Sequence, residues 1–430
     1  MSDLMDKITS LCKRRGFIYP GSEIYGGFGG FYDYGPMGTE LKNNIKREWW
    51  KYMVYDRDDV VGMDAAIIMN PDVWKASGHI DHFTDPLVEC KNCHLRFRAD
   101  KVGKVCPECG GAFTEPKNFN ILVETYIGVI EDTKRKAYLR GEITQGVHVN
   151  FMNILNSTRL KIPFGVAQIG KAFRNEITPG NFTYRMREFD QMELQFYIAP
   201  ESVEGEKWFE YWKEKRFTWY TNLGLHKQNM RFRDHESNER AHYARAATDI
   251  EYQAPFGWNE FEGIHHRGDW DLSQHSKYSG KDLSYYNDKT QERFIPWVIE
   301  TSAGADRATL FFLIDAYHEE EKRVVLKLHP KLAPYKAAVF PLVANKEELI
   351  VKARTIYESL KKAGIIVYWD DRGNIGKRYL FQDEIGTPWC VTVDYTTLDD
   401  NAVTVRDRDT TRQERIPSDK LVLYIKDKLT

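Results

Sequence analysis

The chain has 430 residues, of which 42% are hydrophobic and 29% charged, and its charges nearly cancel to a net −2. That length supplies two or three domains with cores of their own, and the charge balance excludes a global basic field, leaving any nucleic acid to local patches and shape. No apolar run approaches the ~18 residues of a membrane span, the start MSDLMDKITSLCKRRG has no signal-peptide character, and six cysteines, four of them clustered, fit a reducing cytoplasm better than a disulfide framework.

Residues 16–38 are rich in Gly, Tyr and Phe. The Gly26-Gly27-Phe28-Gly29-Gly30 run lacks the strand–turn–helix frame of a phosphate loop, so a packed Gly/aromatic loop is expected. Residues 39–54 predict an amphipathic helix, with Leu41, Ile45, Trp49 and Met53 on one stripe and Pro36 just before it. Cys90-x-x-Cys93 and Cys106-x-x-Cys109 match a structural tetrahedral zinc site, with reduced pairs or disulfides as the alternative. Four thiolates leave no ligand position open for catalysis, so the metal is assigned to folding a module at 88–113.

Residues 166–198 predict a hairpin. Its first arm runs 166–176, the Thr178-Pro179-Gly180-Asn181 cluster breaks it, and Met192, Leu194, Phe196 and Ile198 alternate with Glu193, Gln195 and Tyr197 on the return. Strand alternation puts Arg174 and Glu176 on one face and Phe173 on the other. Arg174, Arg185, Arg187, Glu176, Glu188 and Glu193 crowd around Phe189, which suits a polyanion and a flat ring together. The plainer alternative is a surface hairpin with solvated ion pairs.

Residues 201–224 predict a helix with Trp208, Phe209, Trp212, Phe217 and Trp219 as core bulk. His242 is expected to be a surface or structural histidine. Residues 259–276 predict a loop-flanked strand, and the spacing of His265, His266 and Asp269 is weak evidence for a metal. At 295–314 an apolar strand meets Ser302-Ala303-Gly304-Ala305, then Asp306-Arg307 enters an apolar helix. Small residues at such a junction permit close backbone approach to a ligand. From Lys331, alternating strands and helices predict an α/β domain, and its near-balanced charge does not by itself announce RNA.

The segments FRNE at 173–176 and REFDQME at 187–193 resemble motif 2 of the class II aminoacyl-tRNA synthetases, and SAGADR at 302–307 resembles motif 3. From about Arg14 onward the text resembles the dimeric glycyl-tRNA synthetase family. This implies an α+β fold: an antiparallel-sheet catalytic domain over 1–329 with a zinc-ribbon-like insertion at 88–113, then an α/β anticodon-binding domain over 330–430. It implies a glycine–tRNA ligase that uses ATP and Mg²⁺, partners tRNA(Gly) and glycine, and has no membrane or DNA partner. It also implies a cytoplasmic homodimer built on helix 39–54 and the following strand as motif 1.

By the same resemblance, Arg174, Glu176 and Arg307 are catalytic. Arg174 grips the α-phosphate and the bound carboxylate, Glu176 reads the adenine amino group, and Phe189 and Arg307 sandwich adenine. Arg185 and Arg187 handle the outer phosphates. Asn175, Tyr184, Met186, Glu188, Gly304, Ala305 and Asp306 complete the ATP site, with Glu260, Phe261 and Glu262 near ATP and its Mg²⁺. Glu142, Glu193 and Ser302 are the expected ammonium partners, with Glu300 close by. Arg98, Arg267, Phe189, Asp190, Gln191, Met192, Thr301, Ala303 and Gly304 are the remaining glycine contacts. RGNIGKRY offers Arg372, Lys377 and Arg378 as tRNA phosphate contacts.

One stretch departs from the family pattern. LRGEITQG stands where LRPETAQG is usual, with Gly141, Ile143 and Thr144 in place of Pro, Thr and Ala. Loss of the proline is expected to loosen the backbone before Glu142 by ~0.5–1 kcal/mol. Rival readings are a class II synthetase for proline, serine, threonine or histidine, and a non-catalytic synthetase-like subunit, which would be expected to lose the motif arginines kept here. A zinc-ribbon DNA-binding protein fails on charge balance and on the size of the rest.

Overall fold

A computed structural model describes residues 3–130, 133–236 and 244–429 of the chain. His242 lies outside the described residues. The first long helix near the site, α1 (Pro36–Trp50), starts at Pro36 itself, where proline's fixed φ suits a first helical turn and its missing N–H costs nothing. Leu41, Ile45 and Trp49 are fully buried along its inner stripe, and one π-helical turn at Lys51–Tyr55 carries the stripe on to Met53.

The strands that follow build one seven-stranded sheet. They are β1 (Val60–Met63), β2 (Phe164–Phe173), β3 (Glu188–Ile198), β4 (Met230–Asp234), β5 (Ala246–Ala254), β6 (Gly257–Gly268) and β7 (Trp297–Gly304). Their order is β4-β5-β6-β7-β3-β2-β1, antiparallel except for the β1–β2 pair. The helices α2 (Ser202–Asn222), α3 (Trp270–Ser279) and α4 (Ala305–Ala316) complete the unit. One face of the sheet packs on α2 and α4, where Met192, Leu194, Phe196, Trp212, Phe261 and Phe311 share a core. The other face carries polar side chains, covered by α3 and the short helix Thr144–His148.

Three local expectations change. The first arm of the hairpin stops at Phe173. Beyond it the Arg174 N–H bonds to Arg187 O, but the Asn175 N–H turns away to Ile121 O at 2.7 Å, so Arg174 and Glu176 sit on the peeling chain end rather than on one strand face. The return arm is buried on both faces, not half-buried: Gln191, Glu193 and Gln195 are as hidden as their apolar neighbours because helices cover that side too. The polar 259–276 stretch is strand only to Gly268; from Trp270 it is helix α3.

The cysteine module is a three-stranded antiparallel sheet of Thr84–Glu89, Arg96–Arg98 and Lys117–Asn120. The C-terminal sheet comprises β8 (Ala337–Pro341), β9 (Val367–Trp369), β10 (Trp389–Val393), β11 (Ala402–Asp407) and β12 (Gln413–Pro417), in the order β9-β8-β10-β11-β12. Its first three strands are parallel and joined by α5 (Glu347–Lys362) and α6 (Ile375–Ile385), the crossover that parallel neighbours require. Two of its elements carry no strong sequence period: β12, and α7 (Tyr395–Asp400), which is started by an Asp394–Thr397 capping box. No helix among the described residues is long and apolar enough to cross a membrane.

Candidate active site

Alternate residues of three adjacent strands point to the polar face and floor a cavity of about 290 Å³. From β3 come Phe189, Gln191 and Glu193; from β7, Glu300, Ser302 and Gly304; from β6, Glu260, Gly263, His265 and Arg267. Register aligns them, since Ser302 stands opposite both Glu193 and Gly263.

One end of the cavity is acidic. Ser302 Oγ donates to Glu193 Oε1 at 2.7 Å, and Thr144 Oγ1 lies 2.6 Å from Glu193 Oε2 and 3.0 Å from Glu300 Oε1. Arg267 reaches Glu300 at 3.0 Å and Asp271 at 2.8 Å, and His265 Nδ1 lies 2.9 Å from Glu300 Oε2. Glu142 is 3.4 Å from His79 Nε2. The three carboxyl groups therefore differ. Against the cost of burial, Arg267 and His265 hold Glu300 well below the usual carboxylate range, and His79 and Arg267 bring Glu142 down to about 2. Glu193 has hydroxyl partners only, and burial together with Glu300 and Glu142 pushes it up to about 8.

The other end gathers cations and rings. Arg174 Nε donates to Gly141 O at 3.0 Å, and its guanidinium lies between Phe83 (5.1 Å) and Phe189 (5.4 Å). Arg307 lies 4.5 Å over Tyr184 and pairs with Glu260 at 3.0 Å. Arg185, Met186, Glu176, Thr183 and Ala303 complete the lining, and buried Asp306 closes it from below. Gly141 is packed rather than loose: a Cβ there would come within 2.8 Å of Phe83 Cε1, and its carbonyl fixes Arg174. Arg187 donates to Glu176 O and Gly29 O, tying the motif loop to the Gly/aromatic loop, where Phe28 and Phe31 stack 4.8 Å apart.

Several expected site residues stand elsewhere. Asp190, Met192, Thr301, Phe261, Glu262 and Ala305 do not line the cavity. Asp190 is held by Lys42 and Lys46, and Met192 is in the core. Glu262 is fully buried against Arg216 (2.7 Å) and Tyr220 (2.6 Å) of α2, because a bulge at Phe261 turns it to the helix side. Arg98 is paired with Asp85 and Asp100, Glu188 with Lys171, and Asn175 is exposed. Four unforeseen residues do line the cavity: Thr183, Gly263, Asp249, and His235, which meets Asp249 at 2.7 Å. The pairing of β5 with β6 brings Asp249 there, and the pairing of β4 with β5 brings His235, which follows β4.

In the C-terminal unit Arg372 and Lys377 are exposed. Arg378 is not a free cation. It is 1% exposed, and its guanidinium donates to the carbonyls of Pro341, Asp371, Arg372 and Gly373. These bonds tie down the loop that carries Arg372.

The Sγ atoms of Cys90, Cys93, Cys106 and Cys109 lie within 4.8 Å of one another, with Cys90–Cys109 at 3.4 Å and Cys93–Cys106 at 3.6 Å. Four thiolates around zinc at 2.3 Å would stand about 3.8 Å apart, so the donor set fits that ion.

Residues 126–327 match the tRNA synthetase class II core domain (G, H, P, S and T), and residues 336–428 match an anticodon binding domain. The chain is 54% identical to the glycine–tRNA ligase of Borreliella afzelii (strain PKo), over 98% of this chain and 97% of that one. It is 51% identical to that of Thermobifida fusca (strain YX), over 100% and 98%. It is 49% identical to that of Alkaliphilus oremlandii (strain OhILAs), over 99% and 98%. With both domains matched and this identity held end to end, the chain belongs to the glycine–tRNA ligase family of class II aminoacyl-tRNA synthetases.

Proposed function

We infer that the chain is a glycine–tRNA ligase. It activates glycine with ATP to glycyl adenylate, releasing pyrophosphate, and passes the glycyl group to the 3′ end of tRNA(Gly). The observation that carries this reading is a single cavity with carboxylates at one end and arginines beside the half-buried Phe189 ring at the other, in a chain that follows its glycine–tRNA ligase relatives throughout. Attack of a carboxylate on the α-phosphorus needs positioning and charge neutralisation more than covalent help. Arg174, fixed by the Gly141 carbonyl and flanked by two rings, is suited to hold the α-phosphate against the glycine carboxylate. Phe189 and Arg307 offer the two faces of an adenine slot, and Glu176 sits where it can accept from the adenine amino group.

Glycine presents no side chain to grip, so recognition rests on its ammonium and on exclusion at the α-carbon. Glu193, Glu142, Glu300 and Ser302 are the ammonium partners in this reading. Asp249 and Glu260 would hold Mg²⁺: both line the cavity, and the repulsion that with burial pushes the Asp249 carboxyl up is what a cation would relieve. There the ion would neutralise triphosphate oxygens. Zinc in the four-cysteine site would hold the 84–120 module, whose Asn175–Ile121 bond joins it to motif 2. Two copies pairing through α1 and the exposed Tyr55 beyond it would make the dimer, and six free cysteines suit the reducing cytoplasm. Charging of tRNA with labelled glycine tests the reading. Glycylation that Arg174→Gln abolishes supports it, and a folded parent protein that charges no glycine overturns it.

A further inference from the structure

Thr144 Oγ1 stands between two buried carboxyl groups, 2.6 Å from Glu193 Oε2 and 3.0 Å from Glu300 Oε1. A hydroxyl has one proton to donate. If both carboxyls were ionised, one of these two contacts, both buried, would set two lone pairs face to face, which is costly. A second proton must therefore sit on one carboxyl oxygen. The surroundings decide which. Glu300 faces Arg267 and His265 and accepts from Gln195 Nε2 at 2.9 Å. Glu193 meets only hydroxyls, those of Thr144 and Ser302. The other charged groups around the pair are Glu142, Asp271, Arg140, His79 and His148, and Arg140 is spent on the carbonyls of Lys171 and Ala65.

We propose that Thr144 is a positioning residue for glycine recognition: in the free enzyme its hydroxyl accepts a proton-bearing hydrogen bond from Glu193 and donates its own to Glu300, and glycine binding expels the Glu193 proton. The proposal rests on the assignment of this end of the cavity to the glycine ammonium. In the exchange the O–H bond of Glu193 breaks, its proton leaves to bulk buffer, and the entering ammonium donates to the carboxylate left behind. No other bond changes. The value of about 8 that burial, Glu300 and Glu142 give Glu193 agrees with this geometry. Glycine affinity should then rise as pH rises toward 8 and level off above it.

Titration calorimetry of the full-length protein with glycine, run at pH 7 in buffers of different ionisation enthalpy, reads the released proton. About one proton per site is expected, together with a gain in affinity of about tenfold per pH unit below 8. Thr144→Val removes the acceptor of the Glu193 proton, so Glu193 should ionise at lower pH: the rise of glycine affinity with pH should shift down by about one unit, with less proton release at pH 7. Thr144→Ser should track the parent, and the KM for glycine should move while kcat at saturation stays. Binding heats independent of buffer, or a Thr144→Val profile that superimposes on the parent, overturn the proposal. Infrared spectroscopy of the free parent protein tests the bridge without glycine and without the valine variant: a protonated-carboxyl C=O band that Glu193→Gln removes supports it, and its absence overturns it. That band together with no glycine binding would leave the bridge standing and sink the ammonium assignment instead.

Discussion

Asp306 Oδ2 accepts a hydrogen bond from the backbone N–H of Asp190 at 2.6 Å. This bond joins the residue before Arg307 to the residue after Phe189, so it sets the distance between the two groups proposed to sandwich adenine. The other oxygen, Oδ1, accepts from Tyr34 and from Lys42 Nζ, each at 2.6 Å. Lys42 also pairs with Asp190 at 2.6 Å, so helix α1, β3 and α4 meet at one buried ionic cluster.

Removing one member leaves uncompensated charge. Asp306→Ala leaves Lys42, 8% exposed, and Lys46 sharing the one carboxylate of Asp190, and is expected to cost about 3–5 kcal/mol of stability. Urea unfolding of the variant measures it. A loss under 1 kcal/mol would mean that the cluster is not a structural joint.

The same cluster fixes an acid limb. Against burial, Lys42 and Lys46 hold Asp190 well below its ordinary range. A depressed folded-state value means that this stabilisation is complete above the unfolded value of about 3.9 and is lost as pH falls below it. Between pH 5 and 2 the parent should lose stability more steeply than Asp190→Asn, although the variant starts lower at neutral pH. Thermal melts across that range check the difference in slope.

Zinc removal should act on folding first. Chelation, or Cys106→Ser, is expected to expose amides in 84–120 to hydrogen exchange and to weaken activity through the Asn175–Ile121 link. Metal analysis should give one zinc per chain. Unchanged exchange after complete chelation would remove the module's dependence on metal.

In the C-terminal unit, buried and exposed arginines should part company. Arg378→Ala leaves four carbonyls without their donor and should lower domain stability by about 2–4 kcal/mol. Arg372→Ala combined with Lys377→Ala should leave stability within about 0.5 kcal/mol and raise the KM for tRNA, with no effect on pyrophosphate exchange. Equal tRNA kinetics in parent and double variant would remove these two residues from the RNA surface.

Much of this was legible because strand periodicity and two motifs identify β3, β7 and the α4 junction directly. Alternation alone sorts Phe189, Gln191 and Glu193 from Asp190 and Met192, yet a contiguous motif reading takes all five as contacts. Other features needed the tertiary pairing. The bulge at Phe261 turns Glu262 toward Arg216, and no local pattern signals a bulge. Asp249 and His235 reach the cavity only through sheet order. Arg378 looked like Lys377 in sequence, but one residue of helix rotation buries it. Gly141 was expected to loosen its loop, and the packing of Phe83 and Leu122 around it provides the order that a proline would otherwise supply.

The most direct measurement is ATP–pyrophosphate exchange without tRNA, with glycine, alanine, serine and proline compared side by side. Exchange with glycine alone, lost in Arg174→Gln and, in the parent, strengthening at subsaturating glycine as pH rises toward 8, is the predicted result. Exchange driven by alanine, serine or proline as well as by glycine would contradict the assignment of Glu142, Glu193, Glu300 and Ser302 as a site closed to larger amino acids.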